Sequence, residues 1–130
     1  MNRIVARYQD GRVVKGFTTD FLPAKDRFHM TLEEHGAAAK PFEVRVPELK
    51  AIFFVKRFDG DPQHQRSNDP NQAGVGRRLR VAFKDGEVMV GTTQGYDRSR
   101  PGFFVIPVDT GGNNERCFVV AAAAQEVSFI

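Results

Sequence analysis

The sequence predicts an all-β protein: two SH3/Sm-like five-stranded barrels, related by an internal repeat and packed as one body. Three observations carry this. Asp10-Gly11-Arg12-Val13-Val14-Lys15-Gly16 returns 75 positions later as Asp85-Gly86-Glu87-Val88-Met89-Val90-Gly91. The register then holds without a gap: Arg3 falls on Arg78, Tyr8 on Phe83, Thr18 on Thr93, Phe28 on Phe103, Val44 on Val119 and Phe54 on Phe129. Finally, short alternating apolar runs are separated by Gly, Pro and Asp at the spacing of a small barrel. Two copies are too few for a solenoid. The units are 1–55 and 76–130, with a polar linker at 56–75. The alternative is one larger barrel that uses strands from both halves.

Each element follows from local pattern. Ile4, Ala6 and Tyr8 alternate with Val5, Arg7 and Gln9, the period of a half-buried strand. Asp10-Gly11 supplies a tight hairpin turn, and residues 12–18 return. Gly16 sits inside that second strand, where glycine marks a bend or a close backbone approach; Gly91 occupies the same place in the other unit. Residues 22–26 form a turn, 27–32 a third strand, 33–41 a loop, 42–46 a fourth strand and 49–55 a fifth. Between residues 56 and 75 only Phe58, Ala73 and Val75 are apolar, so this stretch connects rather than packs. The plan then repeats. Leu79, Val81 and Phe83 face inward, Asp85-Gly86 turns, and 87–93 returns. A turn at 96–101, a Phe-rich strand at 102–107, a polar loop at 108–115 and strands at 116–121 and 125–130 complete it.

Composition limits the function classes. The chain has 130 residues and a net charge of +3. That charge is spread, at +2, 0 and +1 over the three segments, so it forms no basic block that would dictate nucleic-acid binding. A unit of this size is marginal alone, so the two are expected to share an interface. The lone Cys117 fits a reducing, cytoplasmic setting. The N-terminal residues enter a strand pattern directly, without the apolar core of a signal peptide. No apolar run is long enough for a membrane span.

The two central stretches resemble the first Sm motif: a strand, Asp-Gly-Arg, an apolar pair, Gly, then an aromatic residue. Here these are Asp10 to Gly16 with Phe21, and Asp85 to Gly91 with Tyr96-Asp97. The resemblance implies an SH3-like barrel used twice. The Asn and the Arg-Gly that hold a base in Sm proteins are missing. Asp26 and Pro101 stand at the Asn place, and 48–51 and 124–127 lack Arg-Gly. The implied uridine readout therefore does not carry over. Over most of its length the chain also resembles an uncharacterised bacterial domain family, through Lys50-Ala51-Ile52-Phe53-Phe54-Val55, Pro101-Gly102-Phe103-Phe104 and Asn113-Asn114-Glu115-Arg116. Such domains occur beside PilZ and response-regulator domains. This implies a non-catalytic interaction or regulatory module of bacterial signalling, with a protein partner not identified by sequence.

Two other readings have residues to support them. Asp97-Arg98-Ser99-Arg100-Pro101-Gly102 matches the D-x-S-x-x-G element of PilZ domains, and Arg3 and Arg7 have the spacing of the PilZ arginine pair, which together imply cyclic di-GMP binding. Planar guanidinium groups suit such a ligand. Arg77, Arg78 and Arg80, with Arg98 and Arg100, form a basic set for RNA, although no exposed aromatic stripe accompanies them. His29, His35 and His64 share no metal-ligand spacing, and no cofactor or catalytic group is expected. Phe53 and Phe104 each follow or precede another Phe on a strand, so one of each pair must leave its own barrel core. They bury against the other barrel, or form a docking patch for a partner or a homodimer.

Overall fold

The computed structural model describes residues 2–33, 40–56, 76–97, 99–107 and 114–130, with backbone only at 114 and 115. The chain is all-β. Its strands are β1 (Asn2–Tyr8), β2 (Val13–Thr18), β3 (Arg27–Leu32), β4 (Phe42–Arg45), β5 (Leu49–Val55), β6 (Arg77–Phe83), β7 (Val88–Thr93), β8 (Gly102–Pro107), β9 (Asn114–Val120) and β10 (Ala124–Phe129). They form one antiparallel ten-stranded sheet in the order β10-β6-β7-β8-β9-β5-β1-β2-β3-β4. The first five strands thus run β5-β1-β2-β3-β4 and the last five β10-β6-β7-β8-β9. One ladder, β5 against β9, joins the halves.

The local chemistry recurs at the 75-residue offset. The Oδ1 of Asp10 accepts the Arg12 N–H at 3.0 Å, and that of Asp85 accepts the Glu87 N–H at 3.0 Å. Gly11 and Gly86 follow with φ of 99° and 96°, a region that favours glycine. The Tyr8 N–H donates to the Arg12 carbonyl at 2.9 Å and the Phe83 N–H to the Glu87 carbonyl at 2.8 Å, closing each hairpin. Farther along, Gly16 lies opposite both Ile4 and Leu32, and Gly91 opposite both Leu79 and Pro107. A Cβ at Gly16 would stand against the carbonyl oxygen of Thr31, and one at Gly91 against that of Ile106. The glycines allow this approach where the strand passes from one neighbour to the next. Just beyond, the buried hydroxyls of Thr18 and Thr93 donate to the carbonyls of His29 and Phe104, each at 2.8 Å.

Two features differ from the expected plan. Short 3-10 turns at Val46–Glu48 and Ala121–Ala123 lead into β5 and β10, so Val46 caps a strand rather than extending it. The cores are not one per half, either. One cluster takes Leu79, Val81, Phe83 and Met89 from the second half with Val5, Ala51, Phe53 and Val55 from the first. The other takes Ile4, Phe28, Met30 and Ile52 from the first half with Phe118 and Val120 from the second. Successive side chains of a strand point to opposite faces, so β5, covered on both, is buried at all seven positions. Burying one such Phe contributes about 1.5–3 kcal/mol. The expected linker at 56–75 lies outside the described residues from 57 onward.

Candidate functional site at the seam

The β7–β8 connection faces the seam. With Phe103 turned inward at 4% exposure, Phe104 must point to the other face. There it meets aromatic rings of the first half and of β9: Phe21 at 6.2 Å, Phe54 at 5.9 Å and Phe118 at 5.2 Å between centroids. Tyr96 stands edge-on to Phe103 at 4.8 Å. The Arg116 guanidinium lies over Phe54 at 4.3 Å and over Phe104 at 4.9 Å. Beside these rings is a half-open recess of about 480 Å³. Its walls include Pro23 from the first half and Tyr96, Asp97, Arg100, Phe104 and Phe118 from the second.

The rim holds the D-x-S-x-x-G match, and its geometry explains each residue there. The Oδ1 of Asp97 accepts the Ser99 N–H at 2.9 Å and the Ser99 hydroxyl at 2.7 Å. Arg100 Nε lies 3.7 Å from Oδ2. The Ser99 hydroxyl, helped by the Ser99 N–H and by Arg100, holds the Asp97 carboxyl below its ordinary pKa. A Cβ at Gly102 would meet the Val119 carbonyl oxygen and the Phe118 ring. Asp97 therefore shapes a turn and Gly102 permits close packing. Arg98 lies outside the described residues. Arg3 donates to the Lys56 carbonyl at 3.3 Å and Arg7 lies over Phe53 at 5.5 Å; neither lines the recess.

Arg77, Arg78 and Arg80 are exposed on β6, which is separated from the seam by β7, β8 and β9. No β6 residue lines the recess, so the basic set divides into two groups. Arg77 lies over Phe129 at 3.8 Å, an exposed aromatic partner that sequence reasoning missed. Phe53 is 6% exposed and covered within the chain, so it offers no docking patch. Phe104 is half-buried at the recess.

A second recess of about 410 Å³ lies by Thr18, Asp20, His29 and Thr31. Asp20 and His29 sit 75 positions before Gly95 and Phe104, so the corresponding place is polar in the first half and aromatic in the second. Asp20 Oδ2 lies 2.8 Å from His29 Nδ1, and Oδ1 accepts the His29 N–H at 2.9 Å. Burial pushes the Asp20 pKa up, but these hydrogen bonds with that of Thr18 outweigh it and lower the value. Among the described residues no group of His, Cys, Asp and Glu is placed to hold a metal. No helix there is long and apolar enough to cross a membrane.

The sequence also concealed Lys50. It is buried on β5, and its Nζ lies 2.7 Å from both Asp85 Oδ2 and Glu87 Oε1. Burial opposes its charge, but the two hydrogen bonds and the carboxylate charges together raise its pKa. This pins the second half's hairpin turn to the first half's last strand. The available signal was a charge exchange between equivalent positions: Lys50 against Gln125, and Arg12 against Glu87.

No curated protein and no solved structure matches the chain. The family model of DUF6982, a family of unknown function, matches residues 1–130, and the chain belongs to that family.

Proposed function

We propose that the chain is a non-catalytic interaction module of bacterial signalling, and that it takes its partner at the seam recess. The observation that carries this reading is the aromatic floor of Tyr96, Phe103, Phe104 and Phe118, walled by Pro23 of the first half, with Arg100 at the rim and Arg116 stacked on Phe104 behind it. An apolar or aromatic side chain of a partner protein fits on that floor, with an acidic neighbour beside the arginines. Aromatic and arginine side chains are the usual anchors of interfaces. The Asp97 carboxylate is already engaged by Ser99 and Arg100, which favours a shaping role over a chemical one. Each half is read as one SH3/Sm-like barrel; equal strand order and the recurring hydrogen bonds support this.

The test is capture of partners from the native cytoplasm, then calorimetry with the purified partner. Arg100→Glu, at an exposed position, should weaken binding by about tenfold or more, near 1.4 kcal/mol, with unchanged melting. Tyr96→Ala should weaken it as much while lowering the melting temperature, because Tyr96 also packs on Phe103 and Phe129. Equal affinity of both variants and wild type would rule out the recess.

A second reading, RNA binding, has one observation in its favour: the Arg77–Phe129 stack beside Arg78 and Arg80. Its affinity for single-stranded RNA should fall steeply with salt and be lost in Arg77→Ala/Arg80→Ala. Salt-independent or absent binding would refute it.

A further inference from the structure

The seam joins the fifth strand of one half, β5, to the fourth strand of the other, β9. This is a head-to-tail contact. It leaves an unused fifth strand, β10, at one end of the sheet and an unused fourth strand, β4, at the other. No described strand pairs with the outer edge of either. Head-to-tail contacts that do not close propagate into open assemblies, and bare edges invite such addition. β10 of one molecule and β4 of the next are the pair that would repeat the seam.

The residues at these edges oppose it. At the seam, Ala51 and Phe53 of β5 pack into the second half's cluster, and Phe118 and Val120 of β9 pack into the first half's. Their counterparts 75 positions away on the outer strands are Glu126 and Ser128, and Glu43 and Arg45. The alternate positions, which face the strand's own half, stay apolar: Val44 is buried, and Phe42, Ala124 and Val127 pack against the clusters. Polarity has changed only on the face that a neighbour would cover. In the register of the seam, Ala51 faces Val119 and Ile52 faces Phe118. Copied outward, Glu126 would face Val44 and Val127 would face Glu43. This would take out of water two carboxylates now held at the exposed edge, Glu126 by the Ser128 hydroxyl and Glu43 by Arg27 and Arg45, which is costly. The position of Arg116 is taken by Pro41, which has no N–H to give a ladder. Lys50, which ties the seam to Asp85 and Glu87, is replaced by Gln125, and the turn it would meet carries Asp10 already paired with Arg12 at 2.8 Å.

We infer that Glu43, Arg45, Glu126 and Ser128 terminate the sheet: they stop a second copy from repeating the seam, so the chain is a head-to-tail pair closed to extension. This does not depend on what the recess binds, and it opposes a homodimer built through the outer strands.

The experiment is sedimentation of the full chain and two edge variants, with thermal melting to show that each folds. Wild type should remain monomeric into the hundreds of micromolar. Glu43→Phe/Arg45→Val opens one edge, and Glu126→Ala/Ser128→Phe opens the other. Each variant alone should stay monomeric, because its complementary edge is still polar, and the two mixed should form a discrete one-to-one complex. Self-association of wild type would overturn the inference without any variant. So would folded variants that fail to associate when mixed, or that associate equally well alone. Should a double variant not fold, Glu43→Phe mixed with Glu126→Ala, which removes both carboxylates, gives the same readout, with a weaker complex expected and none overturning the inference.

Discussion

Replacing Gly91 with alanine places a methyl group against the Ile106 carbonyl oxygen and the Val105 side chain. Neither can yield easily. The carbonyl belongs to β8, which is paired with β7 through Gly91–Pro107 and Thr92–Ile106, and Val105 is fully buried. The sheet must open locally or β8 must shift. Overpacking of this kind costs about 1–3 kcal/mol, and a disturbed ladder hydrogen bond adds roughly 1 kcal/mol. The sum, about 2–4 kcal/mol, lowers the melting temperature by about 10 °C for a chain of this length. Gly16→Ala should sit at the lower end, because one of its contacts is the flexible end of Met30. Gly86→Ala is the internal control. Nothing lies within 4 Å of its Cβ position, but φ is 96°, so the cost is backbone strain alone, about 1–2 kcal/mol. Calorimetric melting of the three variants gives the order. A Gly91→Ala protein that melts like wild type, or one more stable than Gly86→Ala, would refute the close-approach reasoning.

Three further outcomes follow from the seam. Lys50→Met strips two carboxylates of their shared cation; because Asp85 and Glu87 are partly exposed, the loss in urea unfolding should be about 1–2 kcal/mol, and no loss would mean that the triad is ornamental. Phe53→Ala should cost about 3–5 kcal/mol by the same assay, whereas a change under about 1 kcal/mol would place Phe53 at a surface. The pH dependence has two limbs. Asp85 has a pKa lowered by Lys50 and by the Glu87 N–H, so its contribution is present above the ordinary value of 3.8 and is lost as pH falls below it. Lys50 has a raised pKa, so its contribution is complete below 10.5 and is lost as pH climbs through the folded value. Asp85→Asn should flatten the acid limb of the urea midpoint against pH; an unchanged slope would count against the pair.

Strands were legible because the information is local. Alternation at Ile4, Ala6 and Tyr8, and the Asp-Gly turns, depend only on neighbours within a few residues, and the strand positions follow them closely. The 3-10 turn at Val46–Glu48 was not legible, since Val46 continues the alternation of Phe42 and Val44. Which core each face serves was also hidden. Periodicity marks Phe53 and Phe54 as opposite-facing, but only the β5–β9 ladder sends Phe53 to one cluster and Phe54 to the other. The recess was beyond reach for the same reason: Pro23 and Tyr96 meet only because the halves are joined at the seam. The Asp97 motif was visible in sequence, but whether its carboxylate is free depends on the Ser99 rotamer, which no spacing reveals. Likewise Arg77 and Phe129 come together only through β6–β10 pairing.

The β5–β9 ladder makes one body of the two halves. Backbone amide exchange, with cross-strand proton contacts measured by NMR, is the experiment that checks it. Contacts between Ile52 and Phe118 and between Phe53 and Cys117, with β5 and β9 amides protected as strongly as those of β1 and β6, are the expected result. Exchange at β5 and β9 as fast as at the outer strands β4 and β10, with no contact across the pair, would contradict it.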